Sequence, residues 1–113
     1  MLANIQIFQT SWLESENDLR AIRTPVFIEE QLVTSDFEWD EVDQTALHLL
    51  IKHENEPIAC LRIIDYHKIG RMAVLKEWRK KGIGSALLLE AVKICKVHGS
   101  KSCLLYTSDA ADE

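Results

Sequence analysis

The stretch "MAVLKEWRKKGIGSALLLEA", Met72–Ala91, runs from an apolar strand through Lys76, Arg79, Lys80 and Lys81 into Gly82 and Gly84, and then into an apolar helix. Glycines let a backbone curl until several N–H groups point inward. The first turn of a helix adds N–H donors without intrahelical acceptors and the positive end of its dipole. Cations just before such a turn raise the local potential further, so the segment has the chemistry of an anion-binding bend, with phosphate as the natural guest. The plain alternative is a solvated basic surface. A P-loop is excluded because GxxxxGK[ST] is missing. A dinucleotide fingerprint fits poorly, since Leu87 stands where the third glycine belongs and the bend follows a fourth strand rather than a first.

On the C-terminal side of the bend the sequence predicts a helix over Gly82–His98. Ile83, Leu87, Leu88, Ala91, Ile94 and Cys95 form its apolar stripe, Ser85, Lys93 and Lys96 lie off it, and Gly99 ends it. On the N-terminal side, alternation predicts strands over 45–53, 57–66 and 69–75, joined by short turns at 55–57 and at His67–Lys68, which makes an antiparallel meander. "IQIF", residues 5–8, reads as a first strand. Between it and the meander, Leu19, Ile22, Val26 and Phe27 recur at helical spacing. Two helical pieces are expected, about 17–23 with caps among Ser15–Asp18, and 25–32 with Thr24 as N-cap and Pro25 as first residue. "TSDFEWDEVDQ", residues 34–44, has five carboxylates from Asp36 to Asp43 and reads as a loop, with Phe37 and Trp39 as its apolar anchors.

Composition sets the bounds. A chain of 113 residues, 47% hydrophobic and 27% charged, suits one folded domain. No secretory leader and no apolar run near the roughly 18 residues of a membrane span is seen, so a cytoplasmic protein is expected, without membrane partners. Cys60, Cys95 and Cys103 lack a CxxC pairing, and the four histidines form no HExxH, which points to free thiols and no metal. The net charge of −5 hides a polarity: residues 1–56 carry 12 acidic and 3 basic side chains, residues 57–102 carry 3 and 10. Halves of opposite sign bordering one cleft would suit a substrate cation on one wall and an anion on the other; solvated faces of opposite sign are the alternative. "KEWRKK" is too short, in too acidic a chain, to indicate nucleic acid.

The whole phrase "RMAVLKEWRKKGIGSALL" resembles the acetyl-coenzyme A signature of the GCN5-related N-acetyltransferases (GNAT). Its pattern of Arg or Gln, two residues, Gly, one residue, Gly or Ala falls on Arg79, Lys80, Lys81, Gly82, Ile83 and Gly84. "VFIEEQLV", "EWDEVD" and "ALHLL" are similar to a bacterial branch of that family with a VFxxEQ helix, an ExDxxD loop and a His-bearing strand. The resemblance spans residues 5–102 and implies an α/β (α+β) fold, a mixed, mainly antiparallel sheet flanked by helices. It further implies that Met72, Ala73 and Val74 bond the pantetheine arm through their backbone, that the amides of Lys80, Lys81, Gly82, Ile83, Gly84, Ser85 and Ala86 take the diphosphate, and that Arg79 belongs to the same cofactor-binding set. Met72 and Val74 are expected to face outward from a strand whose other face holds Arg71 and Ala73, with plain core packing, compatible with a backbone-binding role, as the alternative.

The implied reaction is transfer of an acetyl group to a primary amine of a small molecule or peptide. Glu30, Glu38, Asp40 and Asp43 are candidates for amine binding or proton removal, a solvated, helix-capping segment being the plain alternative. His48 is a second base candidate because an unperturbed imidazole titrates near pH 6.5, a satisfied, half-buried histidine being its alternative, and Glu30, Asp40 and His48 form the expected catalytic set. Arg71 stands near the position where many relatives have a catalytic Glu. The family's usual acid, a Tyr beyond the fifth strand, has no assigned counterpart, and Tyr106 is not promoted to that role.

The last eleven residues, "CLLYTSDAADE", resemble the translation of a sequencing-library adapter. Residues 1–102 are therefore expected to be the N-terminal part of an acetyltransferase domain that is C-terminally truncated, with 103–113 a non-native tail in which "CLLY" could imitate a strand. Such a fragment is expected to be marginal or inactive. A non-catalytic module sensing CoA or another phosphorylated ligand is the alternative function, and the oligomeric state is left open, a homodimer being one option.

Overall fold

The computed structural model describes residues 5–32, 41–99 and 104–105. Three hairpin-connected strands form the centre: β2 (Leu47–His53), β3 (Glu56–Ile64) and β4 (Lys68–Val74). β1 (Ile5–Thr10) lies along β2, and the short β5 (Leu104–Leu105) along β4, giving the order β1-β2-β3-β4-β5. The first three pairings are antiparallel and the last is parallel. The β2–β3 turn sits at Glu54 and Asn55, both at positive φ, as a two-residue hairpin turn matching the strand twist requires.

Side chains of the meander alternate into two cores. On one face Leu49, Ile51, Leu61, Ile63, Met72 and Val74 meet Ile83, Leu87, Ala91, Ile94 and Cys95 of α3 (Ile83–Val97). On the other, Leu50, Cys60 and Ala73 meet Trp12, Leu19, Ile22, Val26 and Phe27. Both faces of the sheet are thus covered by helices, and Cys60 and Cys95 are buried and in no disulfide.

The first helical region departs from the expected pair of pieces. α1 spans Trp12–Arg23 and starts earlier than 17, because extended Ser11 caps it by accepting from the Glu14 amide. Thr24 is no N-cap: its φ of −63° and ψ of −54° are helical, and the chain continues into a π-helical segment, Thr24–Glu30. Pro25 has no N–H for the α-helical ladder. Past it the spacing widens, with the Gln31 amide reaching the Val26 carbonyl at 3.2 Å. A short helix, α2 (Val42–Thr45), occupies part of the stretch read as loop, so β2 begins at Leu47 rather than 45. Phe37, Glu38, Trp39 and Asp40 lie outside the described residues, as do Cys103 and Tyr106.

Candidate functional site

β4 carries the site on its outer edge. The Leu75 amide donates to the Ile58 carbonyl at 2.9 Å, which fixes the alternation: Ala73 faces β3, while the backbone groups of Met72 and Val74 face away from it. Among the described residues β5 pairs only with Lys68 and Ile69, leaving the C-terminal half of that edge without a strand. The outward orientation expected for Met72 and Val74 is corrected at the level of side chains. Both are buried in the α3-side core, and what faces outward is their backbone. A bulge marks the same half of β4: Leu61 opposes both Arg71 and Met72, and Arg71 has a φ of +47°.

Beyond Val74, a single 3₁₀ turn (Lys76–Trp78) leads into the glycine bend. Lys80 and Gly82 both sit at positive φ, +62° and +83°, the left-handed geometry that turns successive amides to one side. Gly82 is the N-cap of α3 and makes no side-chain cap hydrogen bond; its carbonyl receives the Ala86 amide at 3.1 Å. Ile83 and Gly84 are buried, which seats the first turn against the sheet, while Lys80, Lys81 and Ser85 are exposed and Ala86 half-buried. These backbone features fit a diphosphate, and an extended chain fits the open edge beside it.

The bend is held from both faces of the sheet. Trp78 packs on the α3-side core and against the His53 ring, centroids 4.7 Å apart. Arg79 reaches the other way, its Nε donating to the Val74 carbonyl at 2.9 Å and its two terminal nitrogens to the Glu30 carboxylate at 3.1 and 2.6 Å. Neither contact had a local signal, since Glu30 and Arg79 are 49 residues apart.

Of the residues considered for proton removal, Glu30 is committed to this ion pair, whose hydrogen bonds hold its carboxyl below the usual range. His48 is buried at 1% exposure, Nε2 donating to the Asp43 carbonyl at 2.9 Å. Asp43 is equally buried, between Arg23 (2.8 and 3.2 Å) and Arg62 (3.0 Å). The structure therefore places His48 and Asp43 in one buried polar cluster roofed by Trp12, not on an open wall. Asp40 and Glu38 lie outside the described residues.

Burial pushes the His48 imidazole below its ordinary value, outweighing the hydrogen bond to and the charge of Asp43. A histidine with a lowered folded value binds fewer protons than it does unfolded, so stability falls as pH drops below about 6.5. Thermal melts between pH 7.5 and 5.5 are expected to show that loss, and His48→Asn to flatten it. An unchanged slope in the variant would remove His48 as its source.

A mainly antiparallel sheet with helices on both faces, an open edge on its fourth strand and an amide-lined bend opening the next helix defines an acetyltransferase-type domain. Residues 6–112 match the sequence profile of the Acetyltransferase (GNAT) family, and the chain belongs to that family. YyaT of Bacillus subtilis is 37% identical over 91 residues, covering 75% of this chain and 62% of that protein, so the chain spans less than two thirds of that relative's length. A second Bacillus subtilis protein, assigned as an acetyltransferase, is 34% identical over 103 residues, covering 83% of this chain and 70% of its own. The crystal structure of a protein from Lactobacillus plantarum, assigned as an N-acetyltransferase, superposes with a TM-score of 0.71 at 26% identity, over 84% of this chain and 69% of that one.

Proposed function

We propose that the chain is the cofactor-binding part of a cytoplasmic N-acetyltransferase that uses acetyl-CoA and acylates a primary amine on a small molecule or peptide. The observation that carries this reading is the conjunction of β4's open outer edge with the positive-φ bend at Lys80–Gly82 that opens α3. Family membership supports acetyl-CoA as the cosubstrate. In this reading the backbone of Met72 and Val74 pairs with the pantetheine arm as an added strand would. The amides of the bend from Lys80 to Ser85 hold the diphosphate, with the ammonium groups of Lys80 and Lys81 adding attraction from solvent; the Ala86 amide, expected to join them, is taken by the Gly82 carbonyl.

The chemistry asked of the chain is mostly placement. Holding thioester and amine in one cleft removes entropy from the barrier, and an amide fixed where the oxyanion develops lowers it further. The Val74 N–H faces the open edge and is proposed as that donor. The amine must lose a proton, and with Glu30 and His48 committed elsewhere, that role is left to the acidic segment containing Asp40, through water. The thiolate must gain one. Tyr66, the one tyrosine among the described residues, sits in the β3–β4 turn, at the opposite end of β4 from the bend, so slow transfer is expected.

The test is product formation: acetyl-CoA, a panel of primary amines and the protein in excess, with acetylated amine read by mass spectrometry. Product from at least one amine, absent without protein, is expected. Saturable CoA binding with no acetylated product from any amine would overturn transfer in favour of a non-catalytic CoA-sensing module.

A further inference from the structure

Arg79 is the one arginine of the Arg79–Gly84 pattern, yet its side chain is spent on the protein's own groups. Nε is spent on the Val74 carbonyl, and both terminal nitrogens fork onto one carboxylate, that of Glu30. Such a two-point fork fixes the guanidinium in plane and position, and leaves its charge locally neutralised. The side chain is largely covered, at 21% exposure, whereas Lys80 and Lys81 stand in solvent. Charge for a diphosphate is therefore available from the lysines, and Arg79 supplies geometry.

The two ends of the brace are the two parts of the site. The Val74 carbonyl lies on the same outward-facing edge as the Val74 N–H, and Arg79 itself opens the bend. Fixing one to the other sets the distance between the edge that receives the pantetheine arm and the amides that receive the diphosphate. Glu30 reaches Arg79 from the last turn of the π-helical segment, whose wider spacing changes the direction in which Glu30 leaves the helix compared with an α-helical continuation. Trp78, seated against His53 on the opposite face, stops the bend from rotating about the Arg79 anchor.

We propose that Glu30 is a positioning residue for the cosubstrate: through Arg79 it holds the glycine bend in register with the open edge of β4. This rests on the acetyl-CoA reading above and assigns a task to the VFIEEQ helix other than proton removal.

The test compares wild type, Glu30→Gln, Arg79→Gln and the double variant by calorimetric titration with CoA at several salt concentrations. Steady-state KM for acetyl-CoA and for the best amine, and thermal melts, are measured alongside. Glu30→Gln is expected to weaken CoA about five-fold and to raise the KM for acetyl-CoA alike, the scale of a well-formed bidentate pair near the surface. The KM for the amine should not move, and the melting temperature should stay near that of wild type. Arg79→Gln should match it, and the double variant should be no worse than either single, since each breaks the same brace. The salt dependence of CoA affinity should persist in both, because the guanidinium charge is already taken by Glu30, whereas Lys80→Gln should shallow it.

Unchanged CoA affinity in Glu30→Gln, or strictly additive losses in the double variant, overturns the proposal while leaving the acetyltransferase reading intact. A rise in the amine KM with acetyl-CoA unaffected overturns it too and returns Glu30 to the acceptor wall. If Glu30→Gln does not fold, Arg79→Gln decides alone by the same split. A wild-type protein that takes up no CoA overturns the acetyltransferase reading itself.

Discussion

Gly82→Val is expected to weaken coenzyme A binding about thirty-fold. Gly82 sits at φ +83°, and an L side chain in that region costs about 1–2 kcal/mol, at the upper end for a β-branched one. A cost of about 2 kcal/mol corresponds to roughly thirty-fold in an equilibrium constant. Among the described residues, no heavy atom beyond Gly82's own neighbours and helix backbone lies within 4 Å of where a Cβ would stand, so the loss comes from backbone conformation and not from collision. That makes a sharp control possible. Gly82→Asn, which visits the left-handed region more readily, should recover most of the affinity although its side chain is no smaller. Titration calorimetry on the three proteins checks this, and equal affinity for Val and Gly would show that the bend's conformation does not matter to the ligand.

Asp43→Asn is expected to lower the melting temperature by about 10 °C or more. Asp43 is 1% exposed and faces the guanidiniums of Arg23 and Arg62, themselves 1% and 3% exposed. Removing one partner from a buried charge cluster costs about 3–5 kcal/mol, because the remaining charges stay desolvated, and each kcal/mol is worth roughly 4 °C in a domain of this size. Burial alone would raise the Asp43 carboxyl, but the hydrogen bonds and charges of Arg23 and Arg62 prevail and hold it below the usual range. A carboxyl lowered in the folded state adds stability that is complete above its unfolded value, near 3.9, and is lost as pH falls through the folded value. The variant lacks that titration, so its deficit against wild type should shrink as pH falls below about 4. A melting temperature within 2 °C of wild type would mean that the cluster is not what anchors α2 beneath α1.

Legibility in the sequence followed the range of the interaction. The meander, the stripe of α3 and the glycine bend were readable because each is written in a local period or in residues with special backbone freedom: Leu49 and Ile51 against Leu50, Leu87 and Ala91 one turn apart, Gly82 just ahead of α3. The π-helical segment was hidden because Pro25 after Thr24 is also the ordinary beginning of a helix, and only the Gln31–Val26 hydrogen bond separates the two cases. Asp43 looked like one more solvated carboxylate in an acidic run. Its partners, Arg23 and Arg62, lie 20 and 19 residues away and reach it only through the packing of α1 and β3. Glu30 and His48 looked reactive for the same reason, as residue types with suitable chemistry whose partners no local pattern reveals. The bulge at Arg71 was likewise invisible, being a mismatch of count between two strands.

Everything proposed for the site depends on main-chain amides of the bend from Lys80 to Ser85 gripping a diphosphate. Titrating the protein with CoA and, separately, with pantetheine, which keeps the arm that would lie along β4 but lacks the diphosphate, isolates that grip. Saturable heat with CoA and at least tenfold weaker binding of pantetheine is the expected pair of results. No heat with CoA, or pantetheine binding as tightly as CoA, would contradict it.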